Sequence, residues 1–541
     1  MPTSYGTPLF DRFFATLPGR ATLKGTRLLA ELNLRRTDAR NTVPALVRDI
    51  DRHGAHRRRA LQDRMGVLLA ALAVPRPAAG GTRALVDAVI TALHPLDPAK
   101  AWLMLGVLGG RLPVADDVVN VVRLARTDGP VAAIRPAIWS GPTPRVLDAG
   151  PFRPVEVISG AVLVDVDHTA KVDFATGIQR VTRESVRRWA GSHEVVFVGW
   201  HEDRPALRRL TPAEARRACW GGPAVADPDP GPILIPIDCR YLLPELATEP
   251  VRTGALLSLA QHSSNRLAVI GYDMCPITVP ETCGPAMPAA FARNLAAVRY
   301  ADAVATISEA AAVEYRGWAA MLPQIGIPGP LVTACVLPNE GAEVSEGALA
   351  AGADRLLVGG LPMVLVVGSH EPRKNHLAIL HAAELLWRRG LAFSLTFIGG
   401  NSWSSDEFVH RLQALQLRGR PIESISAADD DLLFAGYRLA RFTVFPSFNE
   451  GFGLPVVESI ACGTPVITSD FGSMREITAD GGALLVDPRD DHALAAAMHT
   501  LLTDDAELER LAKQARGRPV RTWDDYADQV WQILNPEGVG Q

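Results

Sequence analysis

The sequence predicts an α/β fold made of doubly wound parallel sheets, and two observations support this prediction. The first is a strand–loop–helix–strand unit: apolar, β-rich runs at residues 442–445 and 466–468 flank a glycine loop and an apolar helix pattern. Pro455 suits the first turn of that helix, and Gly463-Thr464-Pro465 ends it. The second is the length of 541 residues, which exceeds that of a single domain and predicts two or three domains. Units of this kind bind ligands at the carboxyl ends of their strands.

Two carboxylates lie in this unit, Glu450 in the glycine loop and Glu458 about one turn inside the helix. Backbone N–H groups around Gly451 and Gly453, together with the helix N-terminus, attract an anion such as a diphosphate. A carboxylate on each side can accept hydrogen bonds from hydroxyl groups, so the pattern fits a nucleotide sugar. An ordinary βα turn with a capping glutamate and a solvated glutamate explains the same spacing, and both interpretations stay open at this point.

Two segments resemble the retaining glycosyltransferases of family 4, also called glycosyl transferases group 1. Glu450 and Glu458, with seven residues between them, resemble the glutamate signature of that family. Residues 366–377 are similar to its phosphate-binding stretch, and the two segments occur in the family's order. The resemblance covers residues 360–535 strongly and 155–345 weakly, and it points to the members that act in surface-polysaccharide assembly.

The resemblance implies the GT-B fold, in which two Rossmann-like doubly wound domains face a cleft, here with an α-helical N-terminal extension. Apolar residues at helical spacing in 27–33, 41–51 and 82–95 support the helical extension. The stretch at 136–154, which is rich in proline and glycine, and the stretch at 341–360 are predicted to be linkers. The expected division is a helical extension of unassigned role (1–150), an acceptor domain (155–345), a nucleotide-sugar-binding domain (360–520) and a last helix that packs back on the first domain (521–535).

The resemblance also implies the site residues. Arg373 and Lys374 are expected to hold the diphosphate and Glu450 the sugar hydroxyls, as the catalytic candidates. Many relatives carry another arginine where Ser369 stands, so the resemblance assigns that second charge to Arg373. The donor-binding candidates are Glu458 for the ribose, Gly451, Phe452, Gly453, Leu454, Ser369 and Gly177. The acceptor and loop candidates are Arg180, Asp273 and Tyr272, and Tyr272 replaces the histidine that relatives often carry.

The basic pair suits the expected chemistry. A glycosyl donor leaves as a nucleoside diphosphate, so a fixed ammonium and guanidinium stabilise the charge that develops on the bridging oxygen. A basic surface loop is the alternative interpretation of residues 373–374. Family logic implies front-face attack by the acceptor, with the leaving phosphate taking its proton, so no base, metal ion or cofactor is expected. Asp165-Val166-Asp167 has a D-x-D spacing but falls in a predicted strand, and Ser308 is expected to cap a helix.

Charge and cysteine content limit the partners and the location. The net charge of −4 gives no sign of a nucleic-acid binder. Six cysteines without a C-x-x-C spacing predict reduced thiols in a cytoplasmic protein, and the N-terminus lacks a secretory-signal pattern. The basic run at residues 57–59 predicts either a solvated helix face or peripheral contact with anionic lipid at the inner face of the membrane, and both stay open.

The expected function is that of a retaining hexosyltransferase. The resemblance implies transfer of a mannose-like or rhamnose-like hexose from a nucleotide-diphosphate sugar to a saccharide or lipid-linked acceptor in surface-polysaccharide biosynthesis. The alternative is a non-catalytic partner that binds a nucleotide sugar or a glycan in an assembly complex.

Overall fold

The computed structural model describes residues 40–139, 153–172, 176–223, 231–341 and 343–536. These residues form two compact units. The smaller unit holds the described residues up to Val157 together with Pro232–Ile235, and the larger unit holds the remainder.

The smaller unit is helical. Its helices are α1 (Val43–Asp51), α2 (Ala55–Ala71), α3 (Gly81–Leu93), α4 (Pro98–Gly109), α5 (Ala115–Thr127) and α6 (Pro130–Trp139). Helix α4 is buried from Ala101 to Leu108, as expected for a helix that is apolar all round. The Asp97 side chain caps it by accepting a hydrogen bond from the Lys100 N–H at 2.8 Å. Helices α1 and α3 confirm two of the predicted helical patterns, whereas the pattern at 27–33 lies outside the described residues.

The prediction that a linker begins at Pro136 is wrong. Helix α6 continues through Pro136 to Trp139. A proline inside a helix costs one backbone hydrogen bond. Ile134, Ala137 and Ile138 are buried around it, and this apolar burial offsets the loss. The predicted linker residues 140–152 lie outside the described residues.

The first Rossmann-like domain is built on a mainly parallel sheet. The strands in this part of the chain are β1 (Val155–Ser159), β2 (Val162–Asp165), β3 (Val196–Trp200), β4 (Leu207–Arg209), β5 (Ile233–Ile237), β6 (Arg240–Leu243), β7 (Arg266–Gly271), β8 (Ala303–Thr306) and β9 (Leu331–Ala334). Within the larger unit, neighbouring strands follow the order β4-β3-β2-β6-β7-β8-β9, with β4 antiparallel to β3. The chain runs outward from β2 and returns at β6, so the sheet is doubly wound with a switch point between these two strands.

The helices of this domain connect and cover the parallel strands. They are α7 (Asp167–Lys171), α8 (Gly177–Ser192), α9 (Pro212–Trp220), α10 (Pro250–His262), α11 (Cys275–Thr278), α12 (Met287–Val298) and α13 (Glu309–Ala319), with short 3₁₀ turns at Pro280–Thr282 and Leu322–Ile325. Ser308 caps α13, because its Oγ accepts a hydrogen bond from the Ala311 N–H at 2.9 Å. The predicted cap is confirmed.

The second Rossmann-like domain has a six-stranded parallel sheet. Its strands are β10 (Met363–Val367), β11 (Ser394–Ile398), β12 (Ile422–Ile425), β13 (Phe442–Phe445), β14 (Val466–Ser469) and β15 (Ala483–Val486). They lie in the order β12-β11-β10-β13-β14-β15, so the chain runs outward from β10 and returns at β13. The helices are α14 (Glu346–Leu356), α15 (His376–Arg388), α16 (Asp406–Leu417), α17 (Asp430–Leu439), α18 (Leu454–Ala461), α19 (Gly472–Ile477), α20 (Asp491–Thr503) and α21 (Asp505–Arg516), with a 3₁₀ turn at Pro372–Lys374. These two sheets, with the N-terminal helices, confirm the predicted fold class.

The second predicted linker, at residues 341–360, is also wrong in part because it contains helix α14. Ser345 caps this helix by accepting a hydrogen bond from the Ala348 N–H at 3.1 Å. Gly352 lies where α14 packs against α17. A Cβ at Gly352 would be 2.6 Å from the Cβ of Ala435. The glycine therefore permits close helix packing and does not mark a turn.

The last helix, α22 (Trp523–Leu534), packs on the first Rossmann-like domain. The Trp189 Nε1–H donates a hydrogen bond to the Ala527 carbonyl at 3.1 Å. The ring of Trp531 stacks on His193 with a centroid distance of 3.9 Å. Buried residues of α22 belong to one apolar cluster with residues of both Rossmann-like domains, so the last helix joins the two.

Candidate active site

Two loops meet at the switch point of the second domain, one after β10 and one after β13. Strands β10 and β13 are parallel neighbours, with Val364 opposite Phe442. The loop after β10 makes a sharp turn at Gly368, where φ is +137°. Gly399, after β11, approaches so closely that a Cβ there would lie 2.0 Å from the Gly368 carbonyl oxygen. A switch point is where doubly wound sheets bind ligands, so these loops form the candidate site.

Three of the predicted residues form a charged cluster in these loops. The Arg373 guanidinium pairs with the Glu450 carboxylate. Lys374 Nζ lies 3.4 Å from Glu450 Oε1 and 4.9 Å from the ring centroid of Phe445. The side chains of Arg373, Lys374 and Glu450 are 11–13% exposed, so the basic loop is not a solvated surface feature. The structure therefore brings these three predicted site residues together, and their roles stay predictions.

The cluster keeps Glu450 ionised. Burial alone would raise the pKa of Glu450, but the charges of Arg373 and Lys374 outweigh it and lower the pKa to about 2. Ser447 Oγ adds a hydrogen bond to Glu450 Oε1 at 2.9 Å. Burial raises the pKa of Glu371 above its usual value, and Arg373 opposes this in part. Glu450 is therefore a fixed carboxylate that can accept hydrogen bonds from hydroxyl groups at neutral pH.

Arg373 is held inside the loop. Its Nη1 donates to the Asn449 carbonyl at 2.7 Å, and its Nη2 donates to Glu371 Oε1 at 2.6 Å. These bonds and the Glu450 pair fix the loop after β13 against the loop after β10. Ser369 is half-buried beside Gly368 in the same loop. The assignment of the second donor charge to Arg373 stays a prediction, because its guanidinium already binds three protein groups.

Glu458 faces the first domain. Its Oε1 pairs with the Arg180 guanidinium, and its Oε2 accepts a hydrogen bond from the Tyr437 hydroxyl at 2.8 Å. Arg180 lies in the first turn of α8, where Thr176 and Gln179 form a capping box. Gly177, at the start of α8, lies opposite Leu454, since a Cβ at Gly177 would be 3.4 Å from Leu454 Cδ1. The structure therefore brings Gly177 and Arg180 to the start of α18.

The glycine loop before α18 packs tightly on the first domain. A Cβ at Gly451 would lie 2.7 Å from the Tyr272 carbonyl oxygen and 3.0 Å from Asp273 Cβ. Ser308 Oγ donates a hydrogen bond to the Gly451 carbonyl at 2.6 Å. Phe452 is buried, and Gly453 has a φ of +103° at the N-cap of α18. These contacts hold the N-terminus of α18 at the boundary between the two Rossmann-like domains.

Replacing Gly451 with alanine should lower the free energy of unfolding by about 1–3 kcal/mol, because the new methyl group would overlap the Tyr272 carbonyl. Chemical denaturation of the purified variant would measure this loss. Gly317→Ala is the matched control, since a Cβ at that helical glycine would meet nothing within 4 Å. Equal stability of Gly451→Ala and Gly317→Ala would contradict the tight packing of this loop.

Two candidates from the first domain make interior contacts. The Tyr272 hydroxyl donates to the Pro244 carbonyl at 2.5 Å and lies 3.3 Å from Thr182 Oγ1. Burial raises the pKa of Tyr272 far above its usual value, so this hydroxyl stays protonated. Asp273 Oδ1 accepts a hydrogen bond from the Cys275 N–H at 3.1 Å. The structure therefore does not bring the Tyr272 hydroxyl to the charged cluster, whereas Asp273 lies against Gly451.

The two carboxylates of the D-x-D spacing bind groups of the first domain. Asp165 is fully buried; its Oδ2 accepts from Trp200 Nε1 at 2.9 Å, and its Oδ1 lies 2.9 Å from Arg252 Nη2. Asp167 Oδ1 accepts from the Trp200 N–H at 2.7 Å. Among the residues that the structure describes, no group of three or more acidic, histidine or cysteine side chains is arranged to hold a metal ion.

Several residues of the site were not found from the sequence. Tyr437 binds Glu458, Ser447 binds Glu450, and Glu371 binds Arg373. Glu476 accepts the N–H groups of Glu309 and Ala310 at 2.9 and 2.8 Å and so caps α13 from the second domain. One signal was available: a buried Arg373–Lys374 pair needs more negative charge than Glu450 supplies, and Glu371 is the nearest acid in sequence.

Part of the chain matches a known protein family. Residues 353–518 match the family model described as glycosyl transferases group 1. Over these residues the chain is similar to that family. This segment contains both loops of the candidate site, including Lys374, Glu450 and Glu458, and the predicted resemblance is confirmed there.

Proteins similar to this chain include two from Escherichia coli. The serotype-specific mannosyltransferase WbdA is 27% identical over 344 residues, which cover 59% of this chain and 39% of that protein. The O-antigen chain mannosyltransferase B is 36% identical over 146 residues, which cover 27% of this chain and 38% of that protein. The chain therefore spans about two fifths of the length of these curated relatives.

One similar solved structure is the sucrose-phosphate synthase from Thermosynechococcus elongatus. It is 19% identical, with a TM-score of 0.49, over 69% of this chain and 98% of that one. Among the described residues, no helix combines the length and the apolar composition needed to cross a membrane.

Proposed function

We propose that this chain is a retaining hexosyltransferase that moves a sugar from a nucleotide-diphosphate donor to a saccharide or lipid-linked acceptor in surface-polysaccharide biosynthesis. The observation that carries the proposal is the pairing of Lys374 with Glu450, 3.4 Å apart, at the switch point of the second domain. A cation for the diphosphate and an ionised carboxylate for the sugar hydroxyls thus lie side by side.

The charged cluster suits departure of a nucleoside diphosphate. As the bond between the sugar C1 and the bridging oxygen breaks, negative charge grows on that oxygen. The Lys374 ammonium, aided by the N–H groups at the start of α18, stabilises this charge. Glu450 accepts hydrogen bonds from the sugar hydroxyls, because its pKa of about 2 keeps it ionised. Arg373 positions Glu450 and contributes positive charge at the same loop.

The acceptor hydroxyl attacks C1 on the same face of the sugar as the one from which the leaving group departs. A new bond forms between C1 and the acceptor oxygen, and the departing diphosphate oxygen takes the acceptor proton. This route needs no protein base, which agrees with the interior position of the Tyr272 hydroxyl. The chemistry requires exclusion of water from the donor, and the contact of Gly451 with the first domain serves this purpose.

Glu458 is proposed to bind the ribose hydroxyls of the donor. The carboxylate is 10% exposed in its pair with Arg180, which lies in the first domain. A ribose whose hydroxyls donate hydrogen bonds to Glu458 would leave the Arg180 guanidinium free to bind the diphosphate. We propose a mannose-like or rhamnose-like sugar, and the names of the two mannosyltransferases of Escherichia coli favour mannose.

A thermal-shift panel of UDP, GDP, dTDP and ADP sugars tests the donor class. One base should raise the melting temperature, because a hundredfold excess of ligand over Kd adds about 3 kcal/mol of apparent stability. Glu458→Ala should lose that shift, whereas the matched control Glu407→Ala, exposed on α16, should keep it. A shift that Glu458→Ala retains would contradict the ribose assignment, and no shift with any donor would contradict the donor site and favour the non-catalytic glycan-binding alternative.

Once the donor is known, the configuration of the new glycosidic bond tests retention. Nuclear magnetic resonance of the product formed from an α-linked donor should show an α bond. A β bond would contradict the retaining mechanism without affecting the donor-binding result.

A further inference from the structure

A cavity of about 340 Å³ borders helix α18. It is called the hinge cavity here and is lined by the segment that leaves the first domain (336–341), by Phe452 and one side of α18, by residues 476–480 and by residues 515–521. Lys374, Glu450 and Glu458 are not among its lining residues. Its volume is within the range of pockets that hold one small molecule.

Two arginines of the hinge cavity have incomplete partners. Arg518 Nη2 lies 3.6 Å from Asp480 Oδ2, and the Arg518 side chain is only 13% exposed. Burial lowers the pKa of Arg518, and Asp480 offsets this only in part. Arg521 donates from Nη2 to the neutral groups of Gln529 and Cys335. Within the described chain, the buried Nε of each arginine has no hydrogen-bond acceptor.

The acids of the hinge cavity do not balance these guanidinium groups. Glu476 uses its two carboxylate oxygens to accept the N–H groups of Glu309 and Ala310. Asp480 is 66% exposed, so water screens its charge. The third arginine, Arg516, already pairs with Glu509. The cavity therefore has more positive charge than its own acids neutralise.

The rest of the wall is apolar. Phe452, Val457 and Ile460 contribute from the second domain, and Val336 and Leu337 from the segment that leaves the first. Phe452, Val457, Ile460 and Leu337 are buried. A ligand that fills this space needs an apolar part as well as a negative charge, because an inorganic ion alone would leave the apolar wall uncovered.

We infer that the hinge cavity binds a small phosphate monoester with a compact apolar group, at Arg518 and Arg521. A phosphate monoester carries nearly two negative charges at neutral pH and has several acceptor oxygens. It can therefore neutralise the positive charges of both guanidinium groups, whereas a carboxylate carries only one negative charge. Arginine binds phosphate with two parallel N–H groups, so two arginines in one wall suit this ligand.

Phenyl phosphate is the probe for this site. Isothermal titration calorimetry of the wild-type protein should show saturable binding, tighter than that of inorganic phosphate or benzyl alcohol. Arg518→Gln/Arg521→Gln should abolish binding, because it removes both guanidinium groups while keeping polar side chains. Lys374→Ala should bind phenyl phosphate like the wild type, since Lys374 is not part of the hinge cavity. The matched control Arg388→Gln, at an exposed arginine of α15, should also bind normally.

Binding lost in Lys374→Ala, or unchanged in Arg518→Gln/Arg521→Gln, would overturn the inference, and so would absence of saturable binding to the wild type. Circular dichroism and the melting temperature report whether each variant is folded. If the double variant does not fold, the single variants Arg518→Gln and Arg521→Gln replace it. Each should weaken binding by about tenfold, the effect of losing one charge-assisted contact. These binding measurements do not depend on the proposed sugar transfer.

Discussion

Replacing Lys374 with alanine is expected to lower kcat for sugar transfer by about 10²–10³-fold, the effect of removing one fixed charge from a developing anion. Lys374 Nζ is 3.4 Å from Glu450 Oε1 and is buried in the loop after β10. In the alanine variant, water does not replace this fixed positive charge. The rate of nucleoside diphosphate release in the presence of acceptor measures kcat. KM for the donor should change less, because the lost interaction is strongest in the transition state.

The control for this prediction is Lys513→Ala, which removes an exposed lysine of α21 and should leave kcat unchanged. Transfer by Lys374→Ala at the wild-type rate would contradict the role of the charged cluster in catalysis. A fall in kcat that accompanies a large loss of melting temperature would instead indicate a structural role. Denaturation of Lys374→Ala therefore belongs to the same experiment.

The strands and loops of the second domain could be predicted because their signals are local. Short β-rich runs, glycines between them and a proline at the helix start fixed the unit from β13 to β14, and the observed strands Phe442–Phe445 and Val466–Ser469 match it. Glu450 and Lys374 were named as candidates because the short motifs around them resemble those of a known family. The second domain thus follows largely from adjacent residues.

The pairing of Glu458 with Arg180 could not be predicted, because these residues are 278 positions apart and lie in different domains. Arg373 was expected to face the donor, but its bonds to Glu371, Asn449 and Glu450 depend on how two loops meet. The helix within the predicted linker at 341–360 was missed for a different reason. Glycine in a helix–helix contact and glycine in a linker give the same letter in a sequence, and only packing against Ala435 distinguishes them.

Glu450→Gln should destabilise the protein most at neutral pH and progressively less in acid. In the folded state the pKa of Glu450 is about 2, below its ordinary value of 4.5, because Arg373 and Lys374 favour the ionised form. A lowered pKa stabilises the fold above the ordinary pKa, and this contribution is lost as the pH falls toward about 2. Removing the carboxylate also leaves two buried cations without their partner, which costs about 3 kcal/mol or more.

The measurement is the free energy of unfolding from urea titrations of wild type and Glu450→Gln between about pH 5 and about pH 3, where linkage predicts that their difference shrinks by about 2 kcal/mol. The exposed control Glu407→Gln should follow the wild type throughout. A difference between wild type and Glu450→Gln that stays constant over this interval would contradict the lowered pKa. It would also remove the argument that Glu450 is held as a fixed carboxylate for the sugar hydroxyls. That argument requires Arg373 and Lys374 to lower the pKa of Glu450 more than burial raises it.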